Sequence, residues 1–200
     1  PGYTFEGFYT SASGGTKIFD ANGYCTNEGK YWYNNIWQYL GNLKVYAHWK
    51  ANTYTMSYNA NGGSGSMNTD YITYNTNYKT KSNGFSRIGY RFKGWNEATN
   101  GTGTDWTSRI GVTWKWTYPR NATLYAQWDP NQYTINYHGN TNTGGSTASS
   151  SHTYDRSKSL TSNGFTKTGY HFVGWNTRAD GKGTSYKNKQ SVINLYSIDL

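Results

Sequence analysis

The sequence offers little for acid–base, metal or nucleophilic chemistry: four histidines, ten carboxylates and one cysteine. His48 lies in "YAHW" where a later, similar stretch has Gln127, and His171 lies in "GYHF" where an earlier one has Arg91. A position that takes His in one copy and Gln or Arg in another reads as a solvent-facing strand position rather than a metal ligand. His138 and His152 bring no ligand spacing with them. The carboxylates Glu6, Asp20, Glu28, Asp70, Glu97, Asp105, Asp129, Asp155, Asp180 and Asp199 are scattered. Glycoside hydrolysis needs two carboxyls held at a fixed separation across a sugar cleft, and no such pair recurs. Cys25, in "ANGYCTNEG", has no neighbouring base or cation to activate it; as a lone cysteine it permits no internal disulfide and no C-x-x-C site. "RADGKGTS" looks briefly like a phosphate loop, but it lacks the G-x-x-x-x-G-K-[ST] spacing and would sit on a hairpin. Asp180 beside Gly181 hints at calcium, but the earlier copy has Asn100 there and no ligand series follows. No catalytic residue, metal ligand or cofactor site is expected, and the chain is not read as an enzyme.

The elements that would have to position such residues are written more than once. "NGFSRIGYRFKGWNEATNGTGTDW" begins at Asn83 and "NGFTKTGYHFVGWNTRADGKGTSY" at Asn163. Gly89 and Gly169 are 80 apart, while Trp49 and Trp128, like Tyr54 and Tyr133, are 79 apart. Self-similarity at a fixed period signals a repeat array. "GYTFEGFYT" at Gly2 matches "GYRFKGWNE" at Gly89, so the array is expected to start inside a first unit, residues 1–50. A complete second unit follows over 51–130, and a third, over 131–200, lacks its last strand. Gly2 to Trp49 spans 47 positions and Gly89 to Trp128 spans 39, so the first unit has a longer tail, placed in "FDANGYCTNEGKYWYNN".

Within a unit the pattern is strands and turns. "YTMSY" alternates Tyr54, Met56 and Tyr58 with Thr55 and Ser57, the period of a half-buried strand. "NANGGSGS" has the Asn-Gly and Gly-Gly steps of a turn, and "YITYN" reads as the partner strand. "GYRFKGW" alternates and then carries Gly94, which predicts a bulge or a close backbone approach. "TLYAQW" sets Leu124, Ala126 and Trp128 on one side. The only place for a short helix or 3₁₀ turn is between Trp106 and Trp116.

The run "YTMSYNANGGSGSM … SNGFSRIGYRFKGWNEATNGTGTDW … ATLYAQW" strongly resembles the Listeria–Bacteroides repeat, also called the internalin B-repeat. The second unit carries the pattern nearly whole. The third carries it as far as "GKGTSY", and the first departs from it in having Phe8-Tyr9 in place of the Trp-Asn wording. The resemblance implies a β-rich α+β chain of tandem, small, β-grasp-like (ubiquitin-like) modules in a linear array. It further implies a secreted or wall-attached bacterial protein and a role in adhesion, host contact or spacing. It supplies no binding residues.

Composition agrees with small aromatic cores. The apolar fraction is only 34% and the mean hydropathy is −0.92, yet 18% of residues are aromatic, with 9 Trp and 21 Tyr; these bury large area while keeping a polar end wet. Aromatics that recur in register (Trp95 with Trp175, Trp49 with Trp128) read as core. Those that do not recur, Tyr31, Trp32, Tyr33 and Trp37 with Trp114 and Trp116, are the candidates for ligand contact, because exposed apolar patches mark interaction sites. The net charge of +9 is spread along the chain; it favours polyanions such as sulfated glycans or wall teichoic acid over a dense nucleic-acid site. The opening "PGYTFEGFYT" has no signal-peptide pattern, and no window is apolar enough to span a bilayer. The expectation is a soluble, non-catalytic stalk and adhesion region at a bacterial cell surface. Its partners are host or neighbouring-cell proteins or glycans, and the alternative is a glycan- or polyanion-binding module. If the unit boundaries are right, a polypeptide of residues 51–130 folds alone with one cooperative melt; disorder there, with folding only when a neighbour is added, would move the boundary.

Overall fold

The computed structural model describes residues 1–26, 29–34, 36–195 and 198–200. In the N-terminal block, β1 (Tyr3–Tyr9) and β2 (Lys17–Phe19) pair antiparallel. A separate hairpin follows, β3 (Trp32–Tyr33) and β4 (Ile36–Trp37), and then β5 (Tyr46–Ala51) closes on the other side of β1. The middle block holds β6 (Thr53–Asn59), β7 (Asp70–Thr73), β8 (Asn77–Lys79), β9 (Tyr90–Asn96), β10 (Thr113–Lys115) and β11 (Ala122–Pro130). Its sheet has the order β7-β6-β11-β9; β6 and β11 run parallel in the centre and the outer pairs are antiparallel. β8 and β10 form a two-stranded ribbon beside it. The expected alternation, turn and partner strand all occur: Met56 is buried on β6, Asn61 and Gly62 take positive φ at the turn, and β7 pairs with β6.

The C-terminal block repeats the plan in shorter strands. These are β12 (Gln132–Asn136), β13 (Gly144–Gly145), β14 (Ser150–Thr153), β15 (Lys158–Ser159), β16 (Phe165–Thr166), β17 (Trp175–Asn176), β18 (Ser185–Tyr186), β19 (Ser191–Val192) and β20 (Ile198–Asp199). β12 lies between β14 and β20, antiparallel to the first and parallel to the second, as β6 lies between β7 and β11. Among the described residues the helical content is a single 3₁₀ turn, Thr107–Arg109, within the predicted interval. Among the described residues the α component expected of an α+β chain is not found: loops and β8 make the crossover from β7 to β9, and β10 lies between β9 and β11. No helix among the described residues is long and apolar enough to cross a membrane.

The described residues form two separate main cores, and Trp95 and Trp175 hold equivalent places in them. The buried indole of Trp95 meets the rings of Tyr58 (5.1 Å), Phe85 (6.0 Å) and Phe92 (4.9 Å), and its Nε1 donates to the carbonyl of Lys81 (3.1 Å). Trp175 meets Tyr137 (4.7 Å), Phe165 (6.2 Å) and Phe172 (4.8 Å), the same three positions one period on. Tilted and edge-on contacts of this kind add to the area buried. The glycine before each Trp is what lets the strand do this. At Gly94 the β9–β11 register slips by a residue, and a Cβ there would collide with the Thr107 side chain. Gly7 sits at the matching slip of β1 against β5 and would meet the Phe19 carbonyl. The expectation that recurrence means core fails for one pair. Trp128 is half-buried, its Nε1 donating to Ala60 at the β6 turn (2.9 Å), whereas Trp49 is 59% exposed.

Trp95→Ala removes the indole that Tyr58, Phe85 and Phe92 pack against and should cost the middle block about 3–5 kcal/mol. Thermal melting followed by circular dichroism checks this, and an unchanged melting temperature would contradict the burial.

Candidate binding surface

The recurring polar residues are engaged by the fold's own backbone. Asn96, buried at the end of β9, donates through Nδ2 to the carbonyls of Gly101 and Gly103 and accepts at Oδ1 from the N–H groups of Ala98 and Gly103. Asn176 makes the same four bonds to Gly181, Gly183 and Arg178. Asn83 and Asn163 each close a small loop on Phe85 and Phe165. The "RADGKGTS" segment lies in the loop between β17 and β18, where Asp180 accepts from the Lys182 N–H (3.0 Å) and pairs with Arg178 (2.9 Å). Its geometry is that of a turn, as its spacing predicts.

The titratable groups are similarly occupied. Asp70 pairs with Lys81 and accepts from the hydroxyls of Tyr78 (2.7 Å) and Tyr58 (3.2 Å). Burial is the largest cause pushing the Tyr58 phenol up to about 12, and burial likewise raises Tyr78. Glu97 takes both carboxylate oxygens to Arg120 (2.8 Å each) and accepts from the Trp106 indole (3.2 Å). Glu28 lies outside the described residues. His48 departs from the solvent-facing position expected of it. It is half-buried, stacks on Tyr9 (3.9 Å), and its Nε2 lies 2.7 Å from the Ser11 carbonyl. Gln127, its counterpart, donates to the Ala98 carbonyl (3.0 Å). Each faces a glycine in register, Gly7 or Gly94, where the missing side chain leaves room for a flat group. His171 is exposed, as its exchange with Arg91 implies. His138 is exposed beside Asp199 (3.5 Å). His152 is buried; it stacks on Tyr133 and shares a hydrogen bond with the Ser150 hydroxyl, at the position where the middle block has the core residue Ile72.

The four aromatic candidates come together on the β3–β4 hairpin. Trp32 faces Trp37 and Tyr33 faces Ile36 across it. Tyr33 (58%) and Trp37 (36%) are exposed, Trp32 is half-buried, and Tyr31 is buried under Trp37 and Tyr39. Phe19, from β2, stacks on Trp37 at 6.2 Å. Tyr39 and Leu40 extend the exposed face; they stand in the same dense run, "KYWYNNIWQYL", and could have been read with it, whereas Phe19 joins only through the path of β2. Trp114 and Trp116 do not belong to a surface. Trp116 is fully buried and Trp114 half-buried, in a cluster with Trp106 and Tyr118 over which Arg109 lies. They serve as the core beneath the β8–β10 ribbon. A cleft of about 710 Å³ in the C-terminal block is lined by Phe172, Gly174 and Trp175. In the middle block the matching residues Phe92, Gly94 and Trp95 pair with β11.

The Listeria-Bacteroides repeat domain matches residues 54–127 and again residues 133–200. Two proteins of Evansella cellulosilytica are similar. One, provisionally named a membrane protein, is 31% identical over 147 residues, covering 72% of this chain and 21% of that one. The other, provisionally named a Gly-rich membrane protein, is 35% identical over 105 residues, covering 51% of this chain and 12% of that one. The chain thus spans about a fifth or less of these relatives' length. No solved structure matches it at a significant level.

Burial, and secondarily the Lys158 charge, hold the His152 imidazole below the ordinary histidine value. The neutral form is favoured in the folded state, so its contribution is complete above the unfolded-state value, near 6.5, and is lost as pH falls below it. The C-terminal block should melt earlier at pH 5 than at pH 7, and His152→Ile should flatten that dependence. Equal pH sensitivity in both proteins would contradict this account.

Proposed function

Since the chain belongs to the Listeria-Bacteroides repeat family, we propose that it serves as a non-catalytic stalk and adhesion region of an extracellular, cell-surface bacterial protein. In this proposal the units are 1–50, 51–130 and 131–200, each a β-grasp-like module. Support for the β-grasp assignment comes from the sheet order, in which the first and last strands of the middle block run parallel at the centre with an antiparallel hairpin partner on either side. The observation that carries the functional proposal is the economy of the recurring residues. What the middle and C-terminal blocks repeat at their centres is a Trp packed among three rings and loop-closing asparagines whose side chains bond the fold's own backbone. A residue kept for chemistry on a substrate would recur with its polar atoms free. Repetition of a packed frame is suited to projecting a domain away from a surface and to multiplying weak contacts by effective concentration. The membrane-protein names of the relatives accord with a surface location.

A second proposal, a glycan- or polyanion-binding module, is favoured by the exposed rings of Tyr33 and Trp37 and by the net charge of +9. Beads coated with the 200-residue chain should adhere to cell layers above uncoated beads, and free chain should compete; no excess adhesion would sink the adhesion role. Heparin and wall teichoic acid binding should be weak and should fall about tenfold or more between low and physiological salt, because dispersed exposed charges are screened over about 8 Å. Binding that survives physiological salt and is abolished by Trp37→Ala would replace the first proposal with the second.

A further inference from the structure

The link between successive blocks is one residue long: Asn52 separates β5 from β6, and Asn131 separates β11 from β12. Both asparagines sit in the same arrangement. The Asn52 N–H donates to the Gly2 carbonyl (2.9 Å), and its own carbonyl accepts from the Tyr74 N–H (2.8 Å). The Asn131 N–H donates to Gly89 (2.8 Å) and its carbonyl accepts from Tyr154 (2.9 Å). Tyr3 meets Tyr74 edge to face at 5.3 Å, and Tyr90 meets Tyr154 in the same way at 5.6 Å. The residue after each of these second tyrosines adopts positive φ and reaches the first tyrosine's hydroxyl: Asn75 donates to Tyr3 (3.1 Å), and Asp155 accepts from Tyr90 (2.6 Å). A Cβ on Gly2 or Gly89 would collide with the facing ring, at 2.6 and 2.3 Å, and both glycines hold positive φ. The bonds to Gly2 and Gly89, the tyrosine pairs and the hydroxyl bonds cross between blocks, so nothing in the periodicity of a single block's core requires them.

The C-terminal block carries the same corner without its counterpart. Gly169 has φ +79 against +77 for Gly89, and the Tyr170 N–H closes on the Lys167 carbonyl (3.1 Å) as Tyr90 closes on Arg87 (3.1 Å). The Lys167 ammonium lies 4.7 Å over the Tyr170 ring, as the Arg87 guanidinium lies 4.0 Å over Tyr90. Tyr170 is 73% exposed, and a Cβ on Gly169 would meet nothing within 4 Å. We propose that the Gly–Tyr corner and the Asn…Tyr-Asx edge are the two halves of a repeat-to-repeat coupling that fixes the angle between neighbours, and that Gly169–Tyr170 is a docking surface for the Asn…Tyr-Asx edge of another copy of this repeat. The proposal rests on the repeat-array reading of the chain. The corner is pre-formed, so docking orders little backbone, and a covalent link of one residue would hold the second half beside it at high effective concentration.

Two measurements on the full chain test this. With Cys25→Ser and spin labels at Lys115→Cys and Lys182→Cys, the distance distribution between the middle and C-terminal blocks should be a single narrow peak. Gly89→Val, and independently Tyr154→Ser, should at least double its width while each block's melting is retained. A broad distribution in the parent, or a width that neither substitution changes, overturns the coupling. For the docking surface, the chain is extended after Leu200 by a copy of residues 125–200. Nitration of Tyr170 by tetranitromethane should then slow severalfold relative to the same extension bearing Tyr154→Ser in the added copy. Equal rates in the two extended chains overturn the docking surface. Neither readout depends on adhesion or on a ligand, so either half can fail while the stalk and adhesion role stands, and the reverse.

Discussion

The buried indoles of Trp95 and Trp175 hold each block together, and they can do so only because a glycine precedes them. The slip in register at Gly94 turns the strand so that the following side chain enters the core and meets three rings from three different segments. The missing Cβ lets the Thr107 segment close over the strand from the other side. Few aliphatic residues are available, so the ring cluster takes the place of a Leu and Ile core. The loops then inherit their shape from the strand end: the asparagine after each Trp ties the next turn through four hydrogen bonds. A short phrase, Gly-Trp-Asn, therefore specifies a bulge, a core and a loop in consecutive residues.

Much of this was legible in the sequence. Period-2 alternation gave the strands around Met56 and Leu124, Asn-Gly marked the turn at Asn61, and a lone glycine in a strand marked the slip at Gly94. What was not legible depends on contacts between distant segments. His48 and Gln127 looked interchangeable and so solvent-facing, but they share a donor reaching a loop carbonyl, an equivalence of function that residue type conceals. Trp114 and Trp116 looked free because they do not recur, whereas the middle block uses them with Trp106 to fill the space beneath its ribbon. Trp49 recurs yet is exposed, whereas Trp128 at the same place in the pattern reaches the Ala60 carbonyl. Recurrence reports a shared position in the fold, and burial reports which neighbours are present.

The polar chemistry differs between blocks more than the aromatic chemistry does. Where the middle block joins Tyr58 and Tyr78 through the Asp70 carboxylate, the C-terminal block joins Tyr137 through the Ser150 hydroxyl to His152. In both, the first tyrosine's hydroxyl also accepts a backbone N–H, from Lys81 or Thr161. One block thus sets a half-buried carboxylate between two phenols where the next sets a hydroxyl between a phenol and a buried imidazole, whose Nδ1 has no hydrogen-bond partner.

The chain enters the middle block through β6 and leaves through β11, and these two strands are neighbours running parallel. A tensile load along the array would pull the start of one strand and the end of the other in opposite directions, along the strand axis. Such loading slides the pair, so that the hydrogen bonds joining Met56–Asn59 to Ala122–Tyr125 must all yield together, whereas a hairpin pulled from its open end would release them one by one. Resistance to forced unfolding is set by that rate of rupture and not by equilibrium stability. The placement of first and last strands side by side gives the middle block the geometry of a shear clamp, a property that only mechanical tension would reveal.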